Sequence, residues 1–228
     1  WGPTGAALAA AGYHAIAPDL RGHGQSSWSP EGAYHLDAFI ADLRQICSTL
    51  SHAPALVGAS MGGLTSLVAQ GDDPSLSSAV VLVDIATSVQ RAGIDRIIAF
   101  MTQKPEGFES LEEVAEAIAS YQPQRRREIR LEGLAKNVRK GEDGRYRWHW
   151  DPRFLERSKP ENSMLAPGRL QEAARALRVP TLLVRGKLSD VVGSDDVETF
   201  RQLVPHAEYV DVRSAGHMVA GDNNDVFS

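Results

Sequence analysis

Apolar and polar positions divide the chain into segments of two kinds. Leu36, Phe39, Ile40, Leu43, Ile46, Cys47 and Leu50 recur every three or four residues, which predicts an amphipathic helix with one buried face. Ala55-Leu56-Val57-Gly58-Ala59, Ala79-Val80-Val81-Leu82-Val83 and Val179-Pro180-Thr181-Leu182-Leu183-Val184-Arg185 are instead nearly unbroken apolar runs rich in β-branched residues, the pattern of strands covered on both faces. Tyr13-His14-Ala15-Ile16-Ala17 predicts a further short strand that ends in the turn-rich stretch Pro18 to Ser26, and Glu208-Tyr209-Val210-Asp211-Val212 predicts the last one. Helical segments fall between them. Pro3 starts one that Gly12 stops, another follows Ser60 to about Gln70, and a third opens near Ser194 or Asp195 and runs to Leu203. Asn224 or Asp225 would cap a final helix. Strand–helix alternation of this kind predicts an α/β fold with a doubly wound, mostly parallel sheet.

The texture changes from about Thr87 to Arg178. Helices are expected at 92–102, 110–120 and 124–139, then a polar turn at Gly141-Glu142-Asp143-Gly144 and an aromatic cluster of Tyr146, Trp148, His149 and Trp150, with no strand signal. The expected organisation is therefore a core in two parts, residues 1–87 and 179–228, interrupted by a helical insertion over 88–178.

Composition narrows the function classes. The 228 residues are 43% hydrophobic and 23% charged, ordinary values for a globular domain, and the net charge of -5 without a long basic block speaks against a nucleic-acid partner. The densest basic cluster, Arg125, Arg126, Arg127 and Arg130, reads as a solvated helix face. A single cysteine, Cys47, allows no internal disulfide and falls on the apolar face of its helix, as a small buried hydrophobe would. No run of about 18 apolar residues exists to span a membrane. The chain opens at Trp1 directly into helix-like sequence, so residues upstream are expected to be missing; a cytoplasmic location is expected, with an upstream signal peptide left open.

The chemistry centres on Gly58-Ala59-Ser60-Met61-Gly62-Gly63, where a strand runs into a helix. A side chain projecting from such a sharp corner needs nearly side-chain-free neighbours two residues away, which Gly58 and Gly62 supply. The corner would present the Ser60 hydroxyl at a helix N-terminus, where free N–H groups and the helix dipole favour developing negative charge. In an open parallel sheet, functional residues gather at the C-terminal ends of the strands. Asp190 and His217 each follow a later strand, giving the chain order Ser, Asp, His. A serine hydroxyl is barely ionised at neutral pH, so an imidazole must take its proton and a carboxylate must hold that imidazole in the right tautomer. His206 precedes the last strand and lies at the wrong edge; His23 lies at the right edge, but in a Gly-rich loop suited to a turn or to pocket lining. Asp195 and Asp196 fit the first turn of a helix. Asp84 also ends a strand at the right edge and competes with Asp190 for the acid; Asp190 is preferred, and Asp84 would then support the loops.

These residues resemble the α/β-hydrolase superfamily, in particular its esterases, cofactor-free haloperoxidases and epoxide-hydrolase-like proteins. The resemblance rests on Asp19-Leu20-Arg21-Gly22-His23-Gly24-Gln25-Ser26, the stretch Gly58 to Gly63, the Gly186 to Asp190 loop and Gly216-His217-Met218. It implies that the insertion is a helical cap and that Trp148, His149 and Trp150 either line a substrate pocket or anchor the cap. It implies no cofactor and no metal, and a small-molecule substrate. Serine rather than aspartate at position 60 favours acyl transfer through an acyl-serine, with Met61 N–H as one oxyanion donor. The family's second donor sits on a His-Gly loop that would precede Trp1, and without it turnover is expected to be about 10²–10³-fold lower. Hydrolysis of a small or medium carboxylic ester is the first expectation. Perhydrolysis, carbon–carbon bond hydrolysis and, outside enzymes, small-molecule binding remain open alternatives.

Overall fold

A computed structural model of the chain describes residues 1–121, 131–134, 137–155 and 167–219. The elements in order are α1 (Gly2–Ala10), α2 (Leu36–Ser48), β1 (Ala55–Ala59), α3 (Met61–Asp72), β2 (Ala79–Val83), α4 (Arg91–Thr102), α5 (Leu111–Tyr121), α6 (Leu131–Leu134), β3 (Val138–Lys140), β4 (Tyr146–Trp148), α7 (Pro167–Ala176), β5 (Thr181–Gly186), α8 (Ser194–Leu203) and β6 (Glu208–Val212). The apolar runs at 55–59, 79–83 and 181–186 form the strands that their pattern predicts, because β-branched residues suit a pleated surface buried on both sides. Together with β6 they make a parallel sheet in the order β1-β2-β5-β6, with Leu56 beside Val80, Val81 beside Leu182 and Val184 beside Val210. All four strands therefore end at one edge.

Contacts group the chain into two units, Trp1–Ala17 with His35–Ile94 and Lys159–Ser228, and Pro18–Tyr34 with Asp95–Ser158. The first holds the sheet. Leu82, Val83 and Leu183 are buried in it, and α3, buried along almost its whole length, packs against β1, β2, α2 and α7. A helix buried nearly all round needs such neighbours on several sides. The second unit has its own core of Phe108, Val114, Ile118, Leu134, Val138 and Trp148.

This division differs from the boundaries expected from sequence. Residues 18–34 join the second unit because the buried Asp151 carboxylate is satisfied there: Tyr34 Oη donates to it, Asp151 N–H donates to Gly22 O at 2.8 Å, and Arg153, paired with Asp151, also donates to Ser29 O and Pro30 O. Such long-range bonds leave no trace in local periodicity. At the other end, α7 packs on α3 and belongs with the sheet.

Two local expectations are corrected. Residues 13–17 form no strand: Tyr13 and Ile16 are 66% and 49% exposed, and no ladder partner lies beside them among the described residues to satisfy their backbone groups. The insertion, expected to be helical, holds an antiparallel hairpin in which Val138 pairs with Trp148 and Lys140 with Tyr146 around the polar turn. Helices at 91–102 and 111–121 agree with the pattern, whereas most of the helix expected over 124–139, the Arg125, Arg126, Arg127 and Arg130 cluster and the cap at Asn224 or Asp225 lie outside the described residues. No helix among the described residues is long and apolar enough to cross a membrane.

Candidate active site

Ser60 stands at the corner between β1 and α3 with φ 48° and ψ −117°, a region that side-chain-bearing residues enter only when the surroundings impose it, at about 1–3 kcal/mol. Two glycines impose it. A Cβ on Gly58 would overlap the Gly62 carbonyl, and one on Gly63 would overlap Ile85 Cγ2 and lie 2.8 Å from Gly58 O. Gly62, expected from the motif to be the second tight position, has open space around it, so the close approach is made by Gly63 instead. Ser60 N–H donates to Val83 O at 3.1 Å, which ties the corner to the last residue of β2 and places Asp84 on the neighbouring backbone. Met61 is the first residue of α3, so its N–H has no partner within the helix. The Ser60 hydroxyl makes no hydrogen bond among the described residues.

Asp84 follows β2 with φ 49° and is fully buried. Its Oδ1 accepts Gly186 N–H at 2.9 Å, and its Oδ2 lies 2.8 Å from His217 Nδ1. Three donors are on this one carboxylate, since Ser189 Oγ also donates to Oδ2 at 2.5 Å. Hydrogen bonding to a carboxylate assigns the proton of a neutral His217 to Nδ1 and leaves Nε2 as the basic nitrogen. The His217 side chain is 7% exposed. Gly186 is what lets its loop lie across the end of β5: a Cβ there would overlap Gly216 O.

The carboxylate that meets His217 is therefore not the one preferred from sequence. Asp190 follows β5 as expected, but the carboxylate on His217 is Asp84, and the β5–α8 loop offers its Ser189 hydroxyl to Asp84. Sheet order gives the reason. β2 lies between β1 and β5, so a histidine that follows β6 and bonds to the end of β2 crosses the end of β5 toward the β1 side of the sheet, whereas the backbone of Asp190 is packed against Gly93. His206 lies at the opposite edge as expected, its Nε2 3.1 Å from Val179 O, ahead of the first residue of β5.

Arg185, on β5, is close enough to feel the charge of Asp84. Burial works against its charge, but the hydrogen bond with Tyr209 and the carboxylates of Asp211 and Asp84 outweigh burial and hold the guanidinium protonated. A second buried carboxylate, Asp196, joins the loops after β2 and β5 by accepting from Ser88 Oγ, Gln90 Nε2 at 2.7 Å and Gly193 N–H at 2.8 Å. Burial alone would raise its pKa, and these hydrogen bonds together hold it below the usual value.

The second unit holds the aromatic cluster that follows the polar turn. Trp148 is a core residue stacked on Trp150, with centroids 5.0 Å apart, while His149 and Trp150 are half-buried. His149 Nδ1 accepts Gly24 N–H at 2.7 Å, and burial lowers the pKa of both His149 and His23. No group of three or more metal-binding side chains occurs among the described residues.

A strained serine corner at the end of β1 and a carboxylate–imidazole pair joining the segments after β2 and β6 thus lie at one edge of the parallel sheet. The chain belongs to the α/β hydrolase fold family, whose profile matches residues 1–223. The 3-hydroxybutyrate-oligomer hydrolase of Cupriavidus necator is 26% identical over 218 residues, which are 90% of this chain and 73% of that protein. An esterase of Mycobacterium tuberculosis is 27% identical over 219 residues, 92% of this chain and 70% of that one. The solved structure of E-2-(acetamidomethylene)succinate hydrolase superposes with a TM-score of 0.76 at 25% identity and covers 92% of this chain and 76% of that one.

Proposed function

We infer that the protein is a serine hydrolase that cleaves small or medium carboxylic esters through an acyl-Ser60 intermediate. The observation that carries this reading is the hydrogen bond between His217 Nδ1 and the buried Asp84, 2.8 Å long, at the sheet edge that also bears the Ser60 corner. Ser60 Oγ attacks the ester carbonyl while His217 Nε2 takes its proton. Asp84 holds the ring in the Nδ1–H tautomer and stabilises the imidazolium that forms. The oxyanion of the tetrahedral intermediate meets Met61 N–H at the start of α3, where the helix dipole adds to the hydrogen bond. Collapse of the intermediate expels the alcohol with the proton from His217, and a water that gives its proton to the same nitrogen releases the acid. The free Ser60 hydroxyl is compatible with this role, because catalytic hydrogen bonds often tighten only once substrate is bound.

The relatives support the ester reading, since the two reported above are named for hydrolysis of 3-hydroxybutyrate oligomers and as an esterase. A role in binding alone would have no use for a buried carboxylate aligned on an imidazole. The test is release of p-nitrophenol from the acetate and butyrate esters. Turnover by the wild-type protein that disappears in Ser60→Ala is expected; equal turnover in that variant would sink the proposal.

A further inference from the structure

The reading of Asp84 as the acid uses only one of the three donors on its carboxylate. The hydroxyl of Ser189 shares Oδ2 with His217, and its surroundings fix the direction of that bond. Val191 N–H and Val192 N–H both point at Ser189 Oγ, at 3.1 and 3.2 Å. A hydroxyl has one proton and two lone pairs; with the lone pairs taken, the proton goes to Asp84. The loop that carries Ser189 is itself tied to the segment leading to His217, through Lys187 N–H to Val212 O at 3.0 Å and Leu188 N–H to Ala215 O at 2.9 Å. Ser189 N–H in turn donates to Gly186 O at 2.9 Å.

We propose that Ser189 is a positioning residue of the same reaction, which fixes the rotation of the Asp84 carboxylate and so the direction in which His217 presents Nε2 to Ser60. This rests on the reading of Ser60, His217 and Asp84 as the catalytic three. Gly186 N–H on Oδ1 and Ser189 on Oδ2 hold the carboxylate plane at two points. Without Ser189, Oδ2 is held only by the imidazole it has to orient. Placement within a fraction of an ångström matters for proton transfer, so a carboxylate free to turn costs rate rather than substrate affinity.

A purely structural role, with the hydroxyl serving only to satisfy the two valine N–H groups, predicts lost stability and unchanged kinetics. The variants separate the two. Ser189→Ala lacks the donor, Ser189→Thr keeps it, and Ser189→Cys keeps a weak acceptor for the N–H groups but is a poor donor. The assay is steady-state hydrolysis of p-nitrophenyl acetate well below each variant's melting temperature, with the rate of fluorophosphonate labelling of Ser60 measured in parallel. Expected is a fall of about tenfold in kcat at unchanged KM for Ser189→Ala and Ser189→Cys, matched in labelling rate, with most of the rate restored in Ser189→Thr. Wild-type kcat in folded Ser189→Cys or Ser189→Ala, a change confined to KM or melting temperature, or no restoration by threonine overturns the proposal. Undiminished hydrolysis by Ser60→Ala in the same assay would instead overturn the underlying assignment.

Discussion

Substituting Asp84→Asn tests the acid at its most exposed point. The amide offers one oxygen to three donors, Gly186 N–H, Ser189 O–H and His217 Nδ1–H. With its NH₂ toward His217, the ring is forced into the other tautomer, and Nε2 then carries a proton and cannot act as base. With its oxygen toward His217, the NH₂ confronts Gly186 N–H and the carboxylate charge is gone. The worth of that charge follows from the geometry. An imidazolium and a carboxylate joined by a 2.8 Å bond have charge centres about 3–4 Å apart, and at an effective dielectric of about 20 their attraction is about 4–5 kcal/mol. At 1.36 kcal/mol per decade this is about 10³–10⁴ in kcat. Asp190→Asn, which leaves the bond between Asp84 and His217 in place, is expected to stay within about threefold of wild type. Both variants are compared with wild type for p-nitrophenyl acetate hydrolysis at pH 8, with melting curves to verify folding. A folded Asp84→Asn protein that keeps more than about a tenth of the activity, with a collapse in Asp190→Asn, would refute the argument and return the role to Asp190.

Three further outcomes follow from the packing and charge. Gly58→Ala drives a Cβ into the Gly62 backbone and should cost about 3 kcal/mol, or roughly 6–12 °C in Tm, whereas Gly62→Ala meets open space and should change Tm little; equal tolerance of both would contradict the corner geometry. Asp151→Ala removes a carboxylate that is 1% exposed and leaves Tyr34 and Arg153 without their shared acceptor, for an expected loss of about 3–5 kcal/mol read in urea unfolding; a change under about 1 kcal/mol would show that this network is dispensable. Acid should destabilise the fold in two stages. Burial lowers the pKa of His23 and His149, so the unfolded chain takes up their protons first and stability falls as pH drops below 6.5; the hydrogen-bonded Asp196 adds stability above 3.8 that is lost as pH falls through its lower folded value. Melting temperatures from pH 8 to pH 3 measure this, and a Tm that rises between pH 7 and pH 5 would contradict it.

What the sequence reveals and what it hides divide along a physical line. Local patterns place the four strands of the sheet and the helices between them, because burial on both faces leaves unbroken apolar runs and burial on one face leaves a period of 3.6. They also place Ser60 and His217 at the correct sheet edge. Which carboxylate meets His217 is not legible in the sequence, since Asp84 and Asp190 both end strands at that edge. It turns on the left-handed backbone of Asp84 and on hydrogen bonds that cross about 100 positions of sequence. Ser189 is hidden for the same reason, although it adjoins Asp190 in the loop after β5. Gly63 lies outside the G-x-S-x-G spacing, and its close contact with Ile85 exists only in three dimensions. The hairpin at 138–148 is hidden because β3 buries only Val138 and β4 only Trp148, too few positions to make an alternation among charged neighbours.

The central claim is that Ser60 is a nucleophile activated by His217 and Asp84. Its most direct test is mass spectrometry of the protein after reaction with a fluorophosphonate. One adduct is expected on the peptide that carries Ser60, none in Ser60→Ala, and labelling slowed by about 10³ or more in Asp84→Asn. An adduct that persists in Ser60→Ala, or ester hydrolysis by wild-type protein that never labels at Ser60, would contradict it.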